Sequence, residues 1–359
     1  MRAAVLVEPN GALQIEDLDV GAPGPDEVVV RLKASGICHS DLTYATMAAA
    51  PVPTVLGHEG SGVVEAVGQG VQGLAPGDRV ISSFTPGCGS CWYCERDMGR
   101  HCERAPALWG CPRAHRADGV PVQAMMGLGT FAEAMRVNAR SVVKVETDLP
   151  DEVLALIGCG VTTGVGAALN TGAVRAGSTV AVIGCGGVGM SAVQGSRAAG
   201  AARIIVVDPV EAKRAAATTL GATDVVDPGS GDVVSAVLDL TSGRGVDVAI
   251  DAVGYAATVA QACAMTRKAG TAVIVGMGGL AQDLGTVPLG GFVFNEKRIV
   301  GSLYGSAEVR RDFARCVELI ESGRLDVAQL VSKRVGLEDV NDVLGSMERG
   351  DAIRTVITF

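Results

Sequence analysis

Short apolar runs closed by Gly, Pro or Asp fill roughly the first 150 residues of this chain. Residues 1–7 (MRAAVLV) end at Glu8-Pro9-Asn10-Gly11 and read as a first strand and turn. Val28-Val29-Val30-Arg31-Leu32 and Gly62-Val63-Val64-Glu65-Ala66-Val67 read as further strands. Turn clusters at Pro23-Gly24-Pro25-Asp26 and Pro76-Gly77-Asp78 separate them. From about residue 178 the pattern changes, and apolar strands alternate with helical stretches, the mark of a parallel sheet. The spacing predicts strands over 178–183, 203–208, 246–251, 271–275 and 298–303, then a helix over 310–322 and a last strand over 354–359. The fold class expected is α/β, with a nucleotide-binding domain inserted into a β-rich one.

Composition narrows this picture. With 359 residues the chain is too long for one ordinary core, and two domains are expected. Aromatics make up only 3%, against 49 glycines, so packing must rest on Val, Ala, Leu and Ile. The net charge of −9, without any Lys/Arg block, argues against nucleic acid or anionic membrane as a partner. No run reaches the roughly 18 uninterrupted apolar residues of a membrane span, and the N-terminus lacks the form of a signal peptide. A soluble cytoplasmic protein is expected. In that compartment clustered cysteines point to metal rather than disulfides.

Two motifs carry chemistry on their own. Gly184-Cys185-Gly186-Gly187-Val188-Gly189 follows a predicted strand, opens a predicted helix and fits G-x-G-x-x-G. Gly184 suits the tight turn, Gly186 the approach of a pyrophosphate, and Gly189 close helix–strand packing. Asp208 closes the next strand. Its carboxylate can accept from ribose hydroxyls and would repel a 2′-phosphate, so NAD is favoured over NADP. Lys213 reads equally as a ribose contact or a solvated helix lysine. Cys88, Cys91, Cys94 and Cys102 are spaced C-x2-C-x2-C-x7-C and suit a closed, structural zinc. An iron–sulfur cluster would want a shorter last gap and a Pro after the fourth Cys, where Glu103 stands.

A second metal set is scattered: Cys38 in Cys38-His39-Ser40-Asp41, His58 in Gly57-His58-Glu59-Gly60, and Cys159 in Gly158-Cys159-Gly160. Two thiolates and an imidazole make a catalytic zinc set with one position open. With these residues in view, the chain resembles the zinc-dependent medium-chain alcohol dehydrogenases, in their liver-type and glutathione-dependent-formaldehyde-dehydrogenase-like branch. The resemblance covers nearly the whole length, and extends to Gly158–Gly164 and to the end Ile353–Phe359. It implies a GroES-like, zinc-binding catalytic domain over 1–160 and 304–359 and a Rossmann NAD-binding domain over 161–303. It implies that Cys38, His58 and Cys159 bind the catalytic zinc, giving two Zn2+ per chain. Asp41 would orient His58, and Glu59 would lie behind the metal. Ser40 would accept the alcohol proton. His39, Thr163, Gly187, Val188 and Arg354 would join the fingerprint glycines, Asp208 and Lys213 in holding NAD, with Thr163 and Val188 backing the nicotinamide. His39 could instead pack beside the zinc loop, and Thr163 could serve as a helix-start cap. The four remaining cysteines, Cys111, Cys185, Cys263 and Cys316, are expected to be core or surface thiols.

One departure from the family is plain. The residue five after the first zinc cysteine is Thr43, where relatives with the best-known proton relay have His. The resemblance places Phe84, Trp109, Met125, Met126, Met277 and Leu303 near the substrate, though such a Met or aromatic reads equally as core; as a pocket wall they would suit bulky alkyl or aryl primary alcohols. The alternative is a thiol-adduct-dependent formaldehyde dehydrogenase. That reaction needs a cationic anchor after the cysteine loop, and there the chain offers Pro106-Ala107-Leu108-Trp109, with Arg104 and Arg113 nearby. A third possibility is a zinc-stabilised NAD-binding protein without turnover, which the full ligand set and Ser40 argue against. The expected partner is a small alcohol or aldehyde. A homodimer is expected, with a homotetramer also possible.

Overall fold

The eleven-residue strand Glu27–Ile37 organises the first part of the molecule. Val28, Val30 and Leu32 are buried while Arg31 and Lys33 face solvent, so each residue type lies on the side its chemistry requires. The computed structural model describes all residues except 110, 279–281, 284–288 and 348–352. The chain divides into two units, Met1–Cys159 with Glu308–Val317 and Ala328–Phe359, and Gly160–Ala307 with Glu318–Val327.

In the first unit Glu27–Ile37 pairs antiparallel with Glu59–Val67, Ala134–Asn138 and Arg354–Thr358. Gly36 faces Glu59 on one side and Val356 on the other, and Thr355 pairs with Ile37. This register gathers Glu59, Arg354 and the start of helix His39–Thr46 at one end of the sheet. A second sheet contains Arg2–Leu6, Gln14–Asp17, Thr54–Val55, Ala114–His115 and Pro121–Ala124.

The second unit holds a parallel sheet in the order Asp224–Val226, Arg203–Val207, Thr179–Ile183, Val246–Asp251, Thr266–Ile274, Arg298–Gly301. The order reverses direction at Thr179–Ile183, the crevice where doubly wound sheets bind nucleotides. Val180–Ile183 and Ile204–Val207 are buried as continuous runs, as expected of strands covered on both faces. The strand Asp224–Val226 lies outside the sequence expectation, since three residues show no period. Thr266–Ile274 begins before the expected 271.

Two further features depart from the sequence reading. Glu318–Val327, expected in the catalytic domain, clusters with the second unit. There Gln194 donates to the Asp326 carbonyl (3.3 Å) and accepts from the Asp326 N–H (2.5 Å), and Arg197 donates to the Arg324 carbonyl (3.0 Å). The other feature is the helical segment Asp151–Thr171. Its 21 residues are long and apolar enough to cross a membrane, yet 89% of its apolar window is buried within the protein. It is therefore a core helix. Two wider π-helical turns interrupt it, Ile157–Val161 and Ala167–Thr171, and such turns often occur at functional positions.

Candidate active site

The first unit brings Cys38, His58, Glu59 and Cys159 together, with one donor atom of each within 4.8 Å of the others and all four buried. Each arrives by a different local device. Cys38 is the residue before helix His39–Thr46, where its N–H donates to Asp41 Oδ2 (2.7 Å). Asp41 Oδ1 holds His58 Nδ1 (2.9 Å), so one fully buried carboxylate orients two donors. Cys159 is presented by the first π-helical turn.

His58 Nε2 is buried without a hydrogen-bond partner among the described residues. An unpartnered imidazole nitrogen beside two thiols is costly unless a metal takes it, and this donor set suits zinc. The donors perturb one another. A hydrogen bond from Cys159, with His58 nearby, holds the Cys38 thiol well below its ordinary range. Cys159 is driven well above its own by that bond to Cys38 and by burial. Burial opposes protonation of His58, but Asp41 and Cys38 together outweigh it and raise the imidazole well above its usual value. Glu59 is pushed up to about 7 by burial, against the pull of Arg354.

Arg354 was expected to contact the cofactor. The structure places it, buried, in an ion pair with Glu59 beside the metal donors. Its Nε lacks a partner among the described residues. Gly36 is the sequence signal that could have shown this arrangement, because a Cβ there would lie 2.1 Å from Glu59 Oε2. Ser40 is half-buried, with its Oγ 3.7 Å from Cys38 Sγ. His39 and Thr43 are exposed, and Thr43 Oγ1 donates to the His39 carbonyl (3.0 Å).

Cys88, Cys91, Cys94 and Cys102 form the second cluster, again within 4.8 Å. The Cys88 N–H donates to Cys102 Sγ (3.2 Å) and the Ser90 N–H to Cys88 Sγ (3.5 Å). The Ser90 N–H lowers the Cys88 thiol to about 6. Four sulfurs leave no open position, so this site fits a structural zinc that holds the loop.

In the second unit Gly184 has φ +90°, a Cβ on Gly189 would lie 1.8 Å from the Gly184 carbonyl, and Gly186 faces open space. Each glycine therefore occupies a place that fits its assigned part in phosphate binding. Gly187 begins the helix Gly187–Ala198. Asp208 is buried, and both its oxygens are already engaged, by the Cys185 N–H (2.7 Å) and the Val210 N–H (2.9 Å). Lys213 is half-buried, and its charge reaches Cys185. Thr163 is buried, and its neighbour Gly164 packs so closely on Val188 that a Cβ would lie 2.1 Å from the Val188 carbonyl.

The apolar residues expected at the substrate separate on inspection. The Phe84 ring stands edge-on to His58, centroids 5.9 Å apart, and its carbonyl accepts from Trp109 Nε1 (3.0 Å). Met125 is a correction: it is fully buried among Ile37, Leu56, Phe131 and Ile357, a core side chain. Met126, at φ +51°, is only partly buried. Met277 and Leu303 belong to the second unit and are about half exposed. Cys185, Cys263 and Cys316 are buried, and Cys111 is exposed. Arg113 is buried in an ion pair with Glu27 and donates to the Leu108 carbonyl (2.8 Å), while Arg104 is exposed.

A family model described as an alcohol dehydrogenase GroES-like domain matches residues 24–147, and one described as a zinc-binding dehydrogenase matches 187–322. The NDMA-dependent alcohol dehydrogenase of Amycolatopsis methanolica is 41% identical, covering 99% of this chain and 98% of its own. Among solved structures, an alcohol dehydrogenase zinc-binding domain protein from Burkholderia ambifaria superposes with a TM-score of 0.95 at 34% identity, covering 100% of this chain and 98% of its own. The benzyl alcohol dehydrogenase of Acinetobacter calcoaceticus gives 0.92 at 30% identity, covering 100% and 99%.

Proposed function

Since the chain belongs to the GroES-like, zinc-binding alcohol dehydrogenases, we propose that it oxidises bulky alkyl or aryl primary alcohols reversibly to aldehydes, with NAD as the hydride acceptor. The observation that carries this reading is the buried Cys38–His58–Cys159 set, whose His58 Nε2 has no partner and whose flank is the Phe84 ring. When bound, zinc would supply Lewis acidity to the alcohol oxygen, and the nicotinamide would supply the hydride acceptor.

The chain's own residues do the rest. Asp41 fixes the His58 ring and the Cys38 backbone, so that both donors are positioned before any ligand arrives. Ser40 Oγ takes the alcohol proton. Thr43 stands where relatives carry a relay imidazole, so that position supplies no proton route through histidine. Phe84, Trp109 and Met126 offer an apolar wall, which excludes water and favours a carbon-rich alcohol. Benzyl alcohol is the substrate named for one structural relative, in keeping with that wall. Asp208 supports NAD over NADP by its negative charge.

The thiol-adduct alternative loses ground on one observation. Arg113, a candidate anchor for a thiol's carboxylate, is buried and committed to Glu27 and Leu108. We further propose a homodimer joined through the strand Arg298–Gly301. Thr266–Ile274 is paired on both sides, whereas Arg298–Gly301 ends the sheet, near the exposed Val293 and Phe294. We also propose cytoplasmic residence, a reading that the two clusters of unpaired cysteines support.

The test is a steady-state screen of primary alcohols and aldehydes with NAD and NADP, with and without added glutathione. NADH formation from benzyl and long-chain alcohols, indifferent to thiol, is the expected result. Turnover only of a hydroxymethyl-thiol adduct would overturn the substrate reading, and equal use of NADP would overturn the cofactor reading.

A further inference from the structure

The second π-helical turn, Ala167–Thr171, has no part in the chemistry above, and neither does the strained segment it touches. Tyr304, Gly305 and Ser306 have φ of 55°, 66° and 50°, three left-handed residues in succession. Gly305 tolerates this. Tyr304 is bulky and buried, and such a residue adopts positive φ only where its surroundings impose it.

Those surroundings are specific. A Cβ on Gly305 would lie 2.6 Å from the Thr162 carbonyl and 2.7 Å from the Thr163 carbonyl. The turn therefore lies directly on the helical backbone that carries Thr163. Asn170 Nδ2 donates to the Gly305 carbonyl (3.2 Å). Thr171 Oγ1 lies 2.8 Å from both Ser302 Oγ, before the strained turn, and Ser306 Oγ, within it. Its single proton goes to Ser306, so Ser302 donates to it. Both polar side chains, Asn170 and Thr171, belong to the wider turn at 167–171.

We propose that Thr171 is a positioning residue. Its hydroxyl clamps the left-handed turn at Tyr304–Ser306 and so fixes the backbone at Thr163 and Val188, the positions that by the family resemblance back the nicotinamide. The proposal rests on the NAD reading for what those positions hold, but not for the clamp itself. Thr171 touches no reacting atom and acts through the turn.

Thr171→Val keeps the shape and removes both hydrogen bonds, whereas Thr171→Ser keeps the hydroxyl. Binding of NADH and of ADP-ribose, which lacks the nicotinamide, is measured by fluorescence on the zinc-loaded chain. Amide exchange over residues 302–307 is measured alongside. Thr171→Val is expected to weaken NADH about tenfold and ADP-ribose less than about threefold, the scale of one lost buried hydrogen bond. Exchange in the turn should quicken, and Thr171→Ser should restore both. Equal weakening of both ligands, or an unchanged turn, would overturn the clamp. If Thr171→Val does not fold, Ser306→Ala removes one arm and should show the same ligand contrast at smaller size. A wild type that binds neither ligand would count against the NAD reading, and exchange in the variants would then decide the clamp alone.

Discussion

Asp41→Asn isolates the step from fold to metal site. Asp41 is fully buried, and its two oxygens accept from two zinc-donor residues, the Cys38 N–H at 2.7 Å and His58 Nδ1 at 2.9 Å. Asparagine fills the same space but has one oxygen and one NH2 group, so one of the two contacts loses its acceptor. If the amide nitrogen faces His58, the imidazole proton moves to Nε2, the nitrogen a metal needs. If it faces Cys38, the buried N–H before helix His39–Thr46 loses its acceptor. Either arrangement costs about 1–3 kcal/mol. Loss of such a supporting contact lowers metal affinity about 10–100-fold, or roughly 1.4–2.7 kcal/mol. The assay is chelator competition with zinc counted per chain. The cluster of Cys88, Cys91, Cys94 and Cys102 shares no residue with Asp41 and serves as the internal control. The zinc at Cys38, His58 and Cys159 should lose affinity while the loop zinc holds. If the Asp41→Asn variant binds zinc at both sites as the wild type does, the reasoning is refuted.

Other perturbations follow from the same geometry. Cys159→Ser should lower the zinc content from two to one, one cluster being lost, and abolish turnover with the fold intact; two tightly held zinc ions in that variant would sink the ligand assignment. Cys94→Ser should instead lower the melting temperature first, because a closed site contributes folding energy directly. Asp208→Ala should weaken NAD and narrow its lead over NADP. Because Asp208 also braces the Cys185 and Val210 N–H groups, the narrowing should come from poorer NAD use, and improved NADP with unchanged NAD kinetics would exclude that brace. His39→Arg should tighten NADH and slow turnover if release limits the rate, since Arg carries charge at all working pH values. Identical NADH dissociation constants would place His39 away from the cofactor.

Much of this protein is decided by local pattern. The βαβ alternation and the glycines at 184, 186 and 189 prescribe a parallel sheet and a phosphate loop, since each requirement lies within a few residues of the side chain that meets it. The four cysteines from 88 to 102 are legible for the same reason, being confined to one loop. Cys38, His58 and Cys159 are visible in the sequence only as separate suggestions. Long-range pairing decides their meeting, through the ladder that sets Gly36 against Glu59 and the π-helical turn that presents Cys159. Tertiary structure also decided what single residues do. Met125 became core, Arg354 became the partner of Glu59, and Arg113 was taken by Glu27. A sequence records which groups can donate, accept or pack. Burial then compels each charged or polar group to find a partner, and that choice is made by residues far away along the chain.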